Sequence, residues 1–328
     1  MNRHAPRYAF LLGILLLASS LWAKNFIFDL GGVLIDTNGM AAFQELGKVN
    51  VAKLILQQHL NPLTINSHIK TKLFEILDCV AAMHVPENEL CRFGACDEHG
   101  IQLPYLMCAW LNGTVTCSQA CAMTTETIAV NSQWFDCYAQ QCIISNLCRM
   151  IFTPERFIGT RKIYRAGIAF IKAIKAKGHK VFVLSNWDSE SFVLLQQKYP
   201  ELFELFDGMV ISGDVHELKP SENMYRILLD RYKLRPQDCW FVDDQKENIV
   251  AAQNCGVNAI MCPYINNFCG LQKYPNFKLI AQNIQKFYSK SVTRRENRKI
   301  SGISVNSVKN TSSAMIEGEK ISLTDSTI

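Results

Sequence analysis

The feature that most constrains the fold is a regular alternation of apolar runs and amphipathic segments after residue 154. The runs KVFVLSN, GMVISGD, CWFVDD and NAIMC are predicted strands, and helical patterns of about 10–15 residues separate them. Such alternation indicates right-handed βαβ units and a parallel sheet with helices on both faces. The run NFIFDLGGVLID adds a buried strand near the N-terminus. The sequence therefore predicts an α/β protein with a Rossmann-like parallel sheet core.

Polar residues stand where several of these strands end. Ligands of such sheets bind beyond the carboxyl ends of the strands. A carboxylate after a strand is commonly a helix cap, but four coincident polar segments favour a binding or catalytic site. The candidate residues are Asp29, Ser185, Asn186, Lys219, Asp243 and Asp244.

A long insert separates the first strand from the alternating region. Residues 40–84 repeat apolar positions at helical spacing, and nine of the 13 cysteines lie between Cys79 and Cys148. The insert contains no CxxC pair, so three or four disulfides are favoured over a zinc site. We therefore expect a core domain of residues 24–36 and 154–288, with a helical, Cys-rich cap over residues 37–153. The four later cysteines are expected to be buried free thiols of the core.

The two ends of the chain differ from its body. Two arginines precede an uncharged stretch at 8–23 with the centre LLGILLLA, which is typical of a secretory signal cleaved near Ala23. The alternative is an uncleaved anchor, but 16 residues are short of the ~20 that span a bilayer. We therefore expect an exported, periplasmic or secreted protein with no stable membrane anchor after cleavage. Residues 289–328 contain nine serines and no aromatic residue, which indicates a disordered tail.

The distribution of charged residues along the chain argues against one class of partner, nucleic acids. The formal net charge is +5, yet residues 24–288 carry equal numbers of basic and acidic residues. Nucleic-acid binding requires a basic folded surface, so no nucleic-acid partner is expected. With 48% hydrophobic residues the chain is too apolar for global disorder.

The segments FDLGGVLID, VLSN, LKP and FVDDQKENI, in this order, resemble the haloacid dehalogenase superfamily of aspartate-nucleophile hydrolases over residues 25–265. The residues of these four motifs most resemble those of the phosphatase branch that includes sugar-1-phosphatases and the N-terminal phosphatase domain of soluble epoxide hydrolases. In that branch a helical cap is inserted between the first and second motifs, where residues 37–153 lie. The resemblance implies a Mg²⁺-dependent phosphatase whose substrate is a small phosphorylated metabolite, such as a sugar phosphate.

The resemblance also implies roles for the acidic residues. Asp29 would attack phosphorus and form an aspartyl-phosphate, and a cation must cancel the repulsion between the two anions. The implied Mg²⁺ would be held by Asp29, the Gly31 carbonyl and Asp244. Asp243 and Asn248 would lie directly behind these ligands. Asp244 is favoured over Asp243 as the direct ligand because Asn248 follows it by four residues, as the second acidic residue of the family motif does.

The remaining roles concern the phosphoryl group. Lys219 would supply a fixed positive charge to the phosphoryl oxygens and to Asp29, while Ser185 and the backbone N–H of Asn186 would donate hydrogen bonds to the same oxygens. One position departs from the pattern: family phosphatases usually carry a second Asp two residues after the nucleophile, as general acid and base. This chain has Gly31 there, a change that some phosphatase relatives share.

Two other functions compete with the phosphatase hypothesis. Metal-free dehalogenases of the superfamily show Tyr-Gly-Thr after the nucleophile region, where this chain has Gly-Gly-Val. The second alternative is a catalytically weak or inactive scaffold that binds a protein partner through the cap or the tail. Metal-dependent turnover of an aryl phosphate separates the phosphatase from both alternatives.

Overall fold

A computed structural model of the protein describes residues 24–61, 64–86, 94–97, 99–266, 273–284 and 286. The predicted signal segment 1–23 and the predicted tail 289–328 lie outside the described residues. The chain divides into two units, Met1–Phe277 and Lys278–Ile328. Residues 278–284 of the second unit are helical. Every element named below belongs to the first unit.

The centre of the first unit is a five-stranded parallel sheet in the order β5-β4-β1-β6-β7, which confirms the predicted α/β fold. Two short antiparallel ribbons, β2-β3 and β8-β9, accompany it. The strands are β1 (Asn25–Phe28), β2 (Ile35–Thr37), β3 (Arg161–Ile163), β4 (Lys180–Ser185), β5 (Gly208–Ile211), β6 (Cys239–Asp243), β7 (Asn258–Met261), β8 (Tyr264–Asn266) and β9 (Lys273–Pro275).

The helices fall into two groups along the chain. Those of the insert are α1 (Gly39–Leu46), α2 (Lys48–Gln58), α3 (Ile65–His84), α4 (Tyr105–Leu111), α5 (Cys117–Val130) and α6 (Tyr138–Ile151). The helix α7 (Pro154–Gly159) leads back to the sheet. The remaining helices are α8 (Arg165–Ala176), α9 (Ser189–Lys198), α10 (Pro200–Phe203), α11 (Ser212–Val215), α12 (Glu222–Arg231) and α13 (Lys246–Asn254).

The register of the sheet determines which residues meet at its carboxyl edge. Phe28 pairs with Val183 of β4 on one side and with Val242 of β6 on the other. The residues that follow these pairs, including Asp29 and Asp243, therefore emerge side by side at one edge. Apolar side chains from the strands are buried against the helices, as the near-continuous hydrophobic runs in these strands require.

The insert has a hydrophobic core of its own. Leu54 of α2, Ile76 of α3, Trp110 of α4 and Ile143 of α6 belong to one buried cluster, separate from the cluster under the sheet. Helix α5 begins with a capping box in which Thr116 and Gln119 satisfy each other's backbone N–H groups. The insert therefore folds as a helical unit and does not extend the sheet.

Ribbon β2-β3 brings the start and the end of the insert together. Thr37 pairs with Arg161 and Ile35 with Ile163. The insert also contacts the core elsewhere, because the hydroxyl of Ser212 donates to the carbonyl of Leu111 at 2.7 Å. Among the described residues, no helix is long and apolar enough to cross a membrane.

The prediction of disulfides in the insert is wrong for the cysteines that the structure describes, all of which are free thiols. Cys91 lies outside the described residues. Cys117 contacts other partners instead: it accepts a hydrogen bond from Trp110 Nε1 at 3.2 Å and donates one to Asp188 at 3.4 Å. Burial raises the pKa of Cys148 to about 12, so this thiol stays protonated and packs as an apolar group.

Candidate active site

Two carboxylates and one ammonium group meet at the carboxyl edge of the sheet. Asp29 follows β1 directly, and Asp243 is the last residue of β6. The Nζ atom of Lys219 lies 2.8 Å from Asp29 Oδ1 and 2.6 Å from Asp243 Oδ2. All three residues are buried. The structure thus brings together three residues that the sequence analysis placed in one site.

The two oxygens of Asp29 have different surroundings. Oδ1 accepts hydrogen bonds from Lys219 and from the hydroxyl of Ser185, the latter at 2.7 Å. No donor among the described residues contacts Oδ2, and Asp29 lines the large cavity at this edge. The bonds to Oδ1 therefore hold the carboxylate in one orientation, and Oδ2 is available to react with a substrate.

The site holds more negative than positive charge. One oxygen each of Asp29, Asp243 and Asp244 lies within 4.8 Å of the others, and Lys219 forms ion pairs with two of these carboxylates, Asp29 and Asp243. Burial and the neighbouring carboxylates raise the pKa of Asp244 to about 7. Burial is also the largest cause that raises the pKa of Asp29. For Lys219, burial lowers the pKa, but Asp243 and Asp29 outweigh it, so the net pKa is raised and Lys219 stays charged.

Asp243 faces the protein, whereas Asp244 faces the cavity. Asp243 accepts hydrogen bonds from Lys219, from the backbone N–H of Gln245 at 2.8 Å and from Asn248 Nδ2 at 3.0 Å. Asp244 lines the cavity and contacts the hydroxyl of Tyr264 at 3.1 Å. The buried Oδ1 of Asn248 has no hydrogen-bond partner among the described residues. An orphaned buried oxygen beside three carboxylates is consistent with an ion or its water nearby.

The turn after Asp29 contains two glycines: position 32 requires glycine, whereas position 31 has room for a side chain. Gly32 has φ +70°, and a Cβ there would lie 2.2 Å from Asp244 Oδ2. Gly32 thus lets the turn pass directly under Asp244. A Cβ at Gly31 would meet no atom within 4 Å.

Two contacts of the site were not predicted from the sequence. The side chain of Asn186 bonds to both backbone groups of Lys219, with distances of 2.8 Å to the N–H and 3.0 Å to the carbonyl, and so holds the lysine loop. The Tyr264 hydroxyl lies 3.0 Å from the carbonyl of Gly32, as well as beside Asp244. No local motif marks either contact, since each joins segments far apart in the chain.

The cavity above these residues has a volume of about 860 Å³. The sheet edge contributes Asp29, Ser185 and Asp244 to its lining, and the insert contributes His99 and Leu111. The insert therefore contributes to the wall of a cavity that also contains the carboxylates and is large enough for a small-molecule substrate.

Residues 23–256 match the family model of the haloacid dehalogenase-like hydrolases. The Bifunctional epoxide hydrolase 2 of Rattus norvegicus is 30% identical over 142 residues, which are 40% of this chain and 26% of the rat protein. The Sesquiterpene phosphatase astK of Aspergillus oryzae is 29% identical over 89 residues, 27% of this chain and 45% of the fungal protein. The chain thus matches about a quarter of the rat protein's length.

A solved HAD family enzyme of Bacteroides thetaiotaomicron superposes with a TM-score of 0.47 at 14% identity. That superposition covers 76% of this chain and 98% of the other.

Proposed function

The chain belongs to the haloacid dehalogenase-like hydrolases, and from this membership we propose that it is a Mg²⁺-dependent phosphatase of small phosphorylated metabolites. The observation that carries the proposal is the position of Asp29, which lines the cavity and whose Oδ1 is held by Lys219 and Ser185. An oriented carboxylate beside a fixed cation is what nucleophilic attack on phosphorus requires.

The donors at the site fit Mg²⁺. Mg²⁺ binds oxygen ligands and favours one or two carboxylates together with carbonyl groups and water. Asp29, the Gly31 carbonyl and Asp244 would hold it, because Asp243 is already occupied by Lys219, Gln245 and Asn248. When bound, the ion supplies positive charge between the nucleophile and the phosphoryl oxygens.

In the first proposed step, Asp29 Oδ2 attacks phosphorus and the P–O bond to the leaving group breaks. Lys219 has three N–H donors, of which two bond to Asp29 and Asp243, so the third can bond to a phosphoryl oxygen. The backbone N–H of Asn186 would donate to another oxygen, while the single O–H of Ser185 stays on Asp29 Oδ1 and holds the nucleophile in place. Buried donors that are fixed beforehand stabilise the charge of the transition state without reorganising.

In the second step, water attacks phosphorus and releases inorganic phosphate, which restores the Asp29 carboxylate. We infer that the leaving oxygen of the first step takes its proton from solvent, because Gly31 supplies no acid at the position next to the nucleophile turn. Substrates with acidic leaving groups, such as anomeric sugar oxygens and phenols, should therefore react fastest. A sugar 1-phosphate belongs to this class, in agreement with the sequence resemblance.

Metal removal tests the proposal. We expect hydrolysis of p-nitrophenyl phosphate in the presence of Mg²⁺, a fall of about 100-fold or more with excess chelator, and recovery when Mg²⁺ is restored. In calorimetry, Asp244→Asn should weaken Mg²⁺ binding, whereas the exposed control Asp230→Asn should not. Chelator-resistant turnover would contradict the role of the metal. Chloride release from a 2-haloacid with no phosphate hydrolysis would favour the dehalogenase.

Export is a separate proposal that rests on the sequence of residues 1–23. We expect the protein purified from its native host to begin at Lys24, since signal peptidases cleave after small residues such as Ala23. N-terminal sequencing of the mature protein measures this directly. A chain that retains the LLGILLLA segment would contradict cleavage.

A further inference from the structure

Arg161 is a cation of the active-site cavity to which the proposed reaction assigns no role. It is the first residue of β3, pairs with Thr37 of β2, and lines the same cavity as Asp29 and Ser185. Its position is thus set by the ribbon at the base of the cap.

Several contacts fix Arg161. Its guanidinium carbon lies 4.1 Å from the centre of the Phe157 ring, and one Nη atom donates to the hydroxyl of Thr37. Its carbonyl oxygen accepts hydrogen bonds from Lys198 Nζ at 2.8 Å and from the Tyr199 hydroxyl at 2.7 Å. The backbone and the guanidinium plane are therefore both held, so a ligand would meet a preorganised group.

Aromatic side chains connect the Arg161 guanidinium to the proposed phosphate-binding segment, Ser185 and Asn186. The Phe157 ring packs edge-on against Trp187, with ring centres 5.6 Å apart, and Trp187 follows Ser185 and Asn186 in the chain. Both rings line the cavity. An apolar wall thus runs from the proposed phosphoryl site to the guanidinium.

The guanidinium of Arg161 makes no direct ion pair with a carboxylate of the described residues, although the charge of the nearby Asp36 acts on it. No carboxylate of the described residues lies within 4.0 Å of its guanidinium, and the neighbouring Asp36 pairs with Lys162 at 3.1 Å instead. Its buried Nε atom has no hydrogen-bond partner among the described residues. Burial lowers the pKa of Arg161 to about 10, so it remains charged at neutral pH. A partly buried cation without a direct ion pair gains a favourable partner when an anion binds in the cavity.

We propose that Arg161 binds a second anionic group of the substrate, so that the substrate class is phosphate monoesters that carry a further carboxylate or phosphate. This inference rests on the proposed function. The planar guanidinium presents paired N–H donors that match either oxyanion, and one of its ends is already anchored at Thr37. The chain of carbon atoms between the two anions would lie along Phe157 and Trp187.

The test compares matched substrates. ω-Carboxyalkyl phosphates and diol bisphosphates are assayed beside ω-hydroxyalkyl phosphates of equal length, so that leaving groups stay alike. We expect the wild type to prefer the doubly anionic esters by about 10-fold or more in kcat/KM. Arg161→Gln should abolish that preference, and Arg161→Lys should retain part of it. Arg165→Gln removes an exposed arginine outside the cavity and should keep the full preference.

The outcomes separate the inference from the proposed function. A wild type that does not discriminate, or an Arg161→Gln variant that keeps the preference, overturns the inference. This wild-type comparison remains decisive even if the variant fails to fold. If no phosphate ester is hydrolysed, the proposed function fails, and calorimetry with ω-carboxyalkylphosphonates and ω-hydroxyalkylphosphonates decides about Arg161. The inference is supported if the wild type binds the carboxyalkylphosphonate more tightly than the hydroxyalkylphosphonate and Arg161→Gln loses this difference. Equal binding of the two phosphonates by the wild type overturns it. The carboxylate and bisphosphate arms show which anion is preferred.

Discussion

Asp29→Asn is expected to lower phosphatase turnover by a factor on the order of 10⁴ or more, because the amide keeps the shape of the side chain but cannot attack phosphorus. The amide oxygen can still accept hydrogen bonds from Lys219 and Ser185, which hold Oδ1 in the native site. The variant should therefore fold. Single-turnover and steady-state assays with p-nitrophenyl phosphate measure the loss.

A ligand-binding measurement separates loss of chemistry from loss of structure. With Mg²⁺ present, beryllofluoride should raise the melting temperature of the wild type, because it mimics a phosphoryl group on a carboxylate. It should not protect Asp29→Asn. The control Asp230→Asn changes an exposed carboxylate on α12 and should behave as the wild type does. Undiminished turnover in Asp29→Asn would end the proposed mechanism.

Gly31→Asp is expected to accelerate hydrolysis of alkyl phosphates by about 10²-fold or more, since general acid catalysis typically contributes about 10²–10⁴-fold. The structure has room for the change: a Cβ at Gly31 meets no atom within 4 Å, and Gly31 is not among the glycines with positive φ. Aryl phosphates should gain little, because their leaving groups need no proton. Rates across an alkyl and aryl series measure the effect.

The wild type should show a steep rise in rate as the pKa of the leaving group falls, and Gly31→Asp should flatten it. Gly31→Asn is the matched control, since it has the same size but no acidic proton, and it should keep the steep slope. A flat slope in the wild type would contradict this account, because it would mean that another residue already donates the proton.

The elements that the sequence predicted well are those with local signals. Strands β1, β4 and β6 are apolar runs, and the parallel sheet confirms them; Asp29 directly follows β1, while Ser185 and Asp243 are the last residues of β4 and β6. Their convergence follows from parallel pairing alone, because carboxyl ends of neighbouring strands share an edge. Lys219 was found through its motif, and its placement between two carboxylates depends on a loop that Asn186 holds.

The parts that the sequence did not predict depend on packing between distant segments. Tyr264 reaches the turn at Gly32 across 232 positions of sequence, and no pattern near Tyr264 marks it. Arg161 can be identified as a candidate binding residue only from the three-dimensional structure, which shows its contact with Phe157 and its place in the cavity lining. The disulfide prediction failed because clustering in sequence does not show which way a side chain faces: Cys117 contacts Trp110 and Asp188.

The most direct test of the central claim is the position of the phosphoryl group during turnover. Enzyme mixed with excess substrate and Mg²⁺ is quenched in acid, digested with trypsin and analysed by mass spectrometry. Cleavage after Lys24 and Lys48 yields one peptide that contains two aspartates, Asp29 and Asp36, which fragmentation distinguishes. We predict a phosphoryl group on Asp29 alone, absent in Asp29→Asn. Phosphate release with no phosphorylated peptide at any quench time, or with the group on Asp36, would contradict the account.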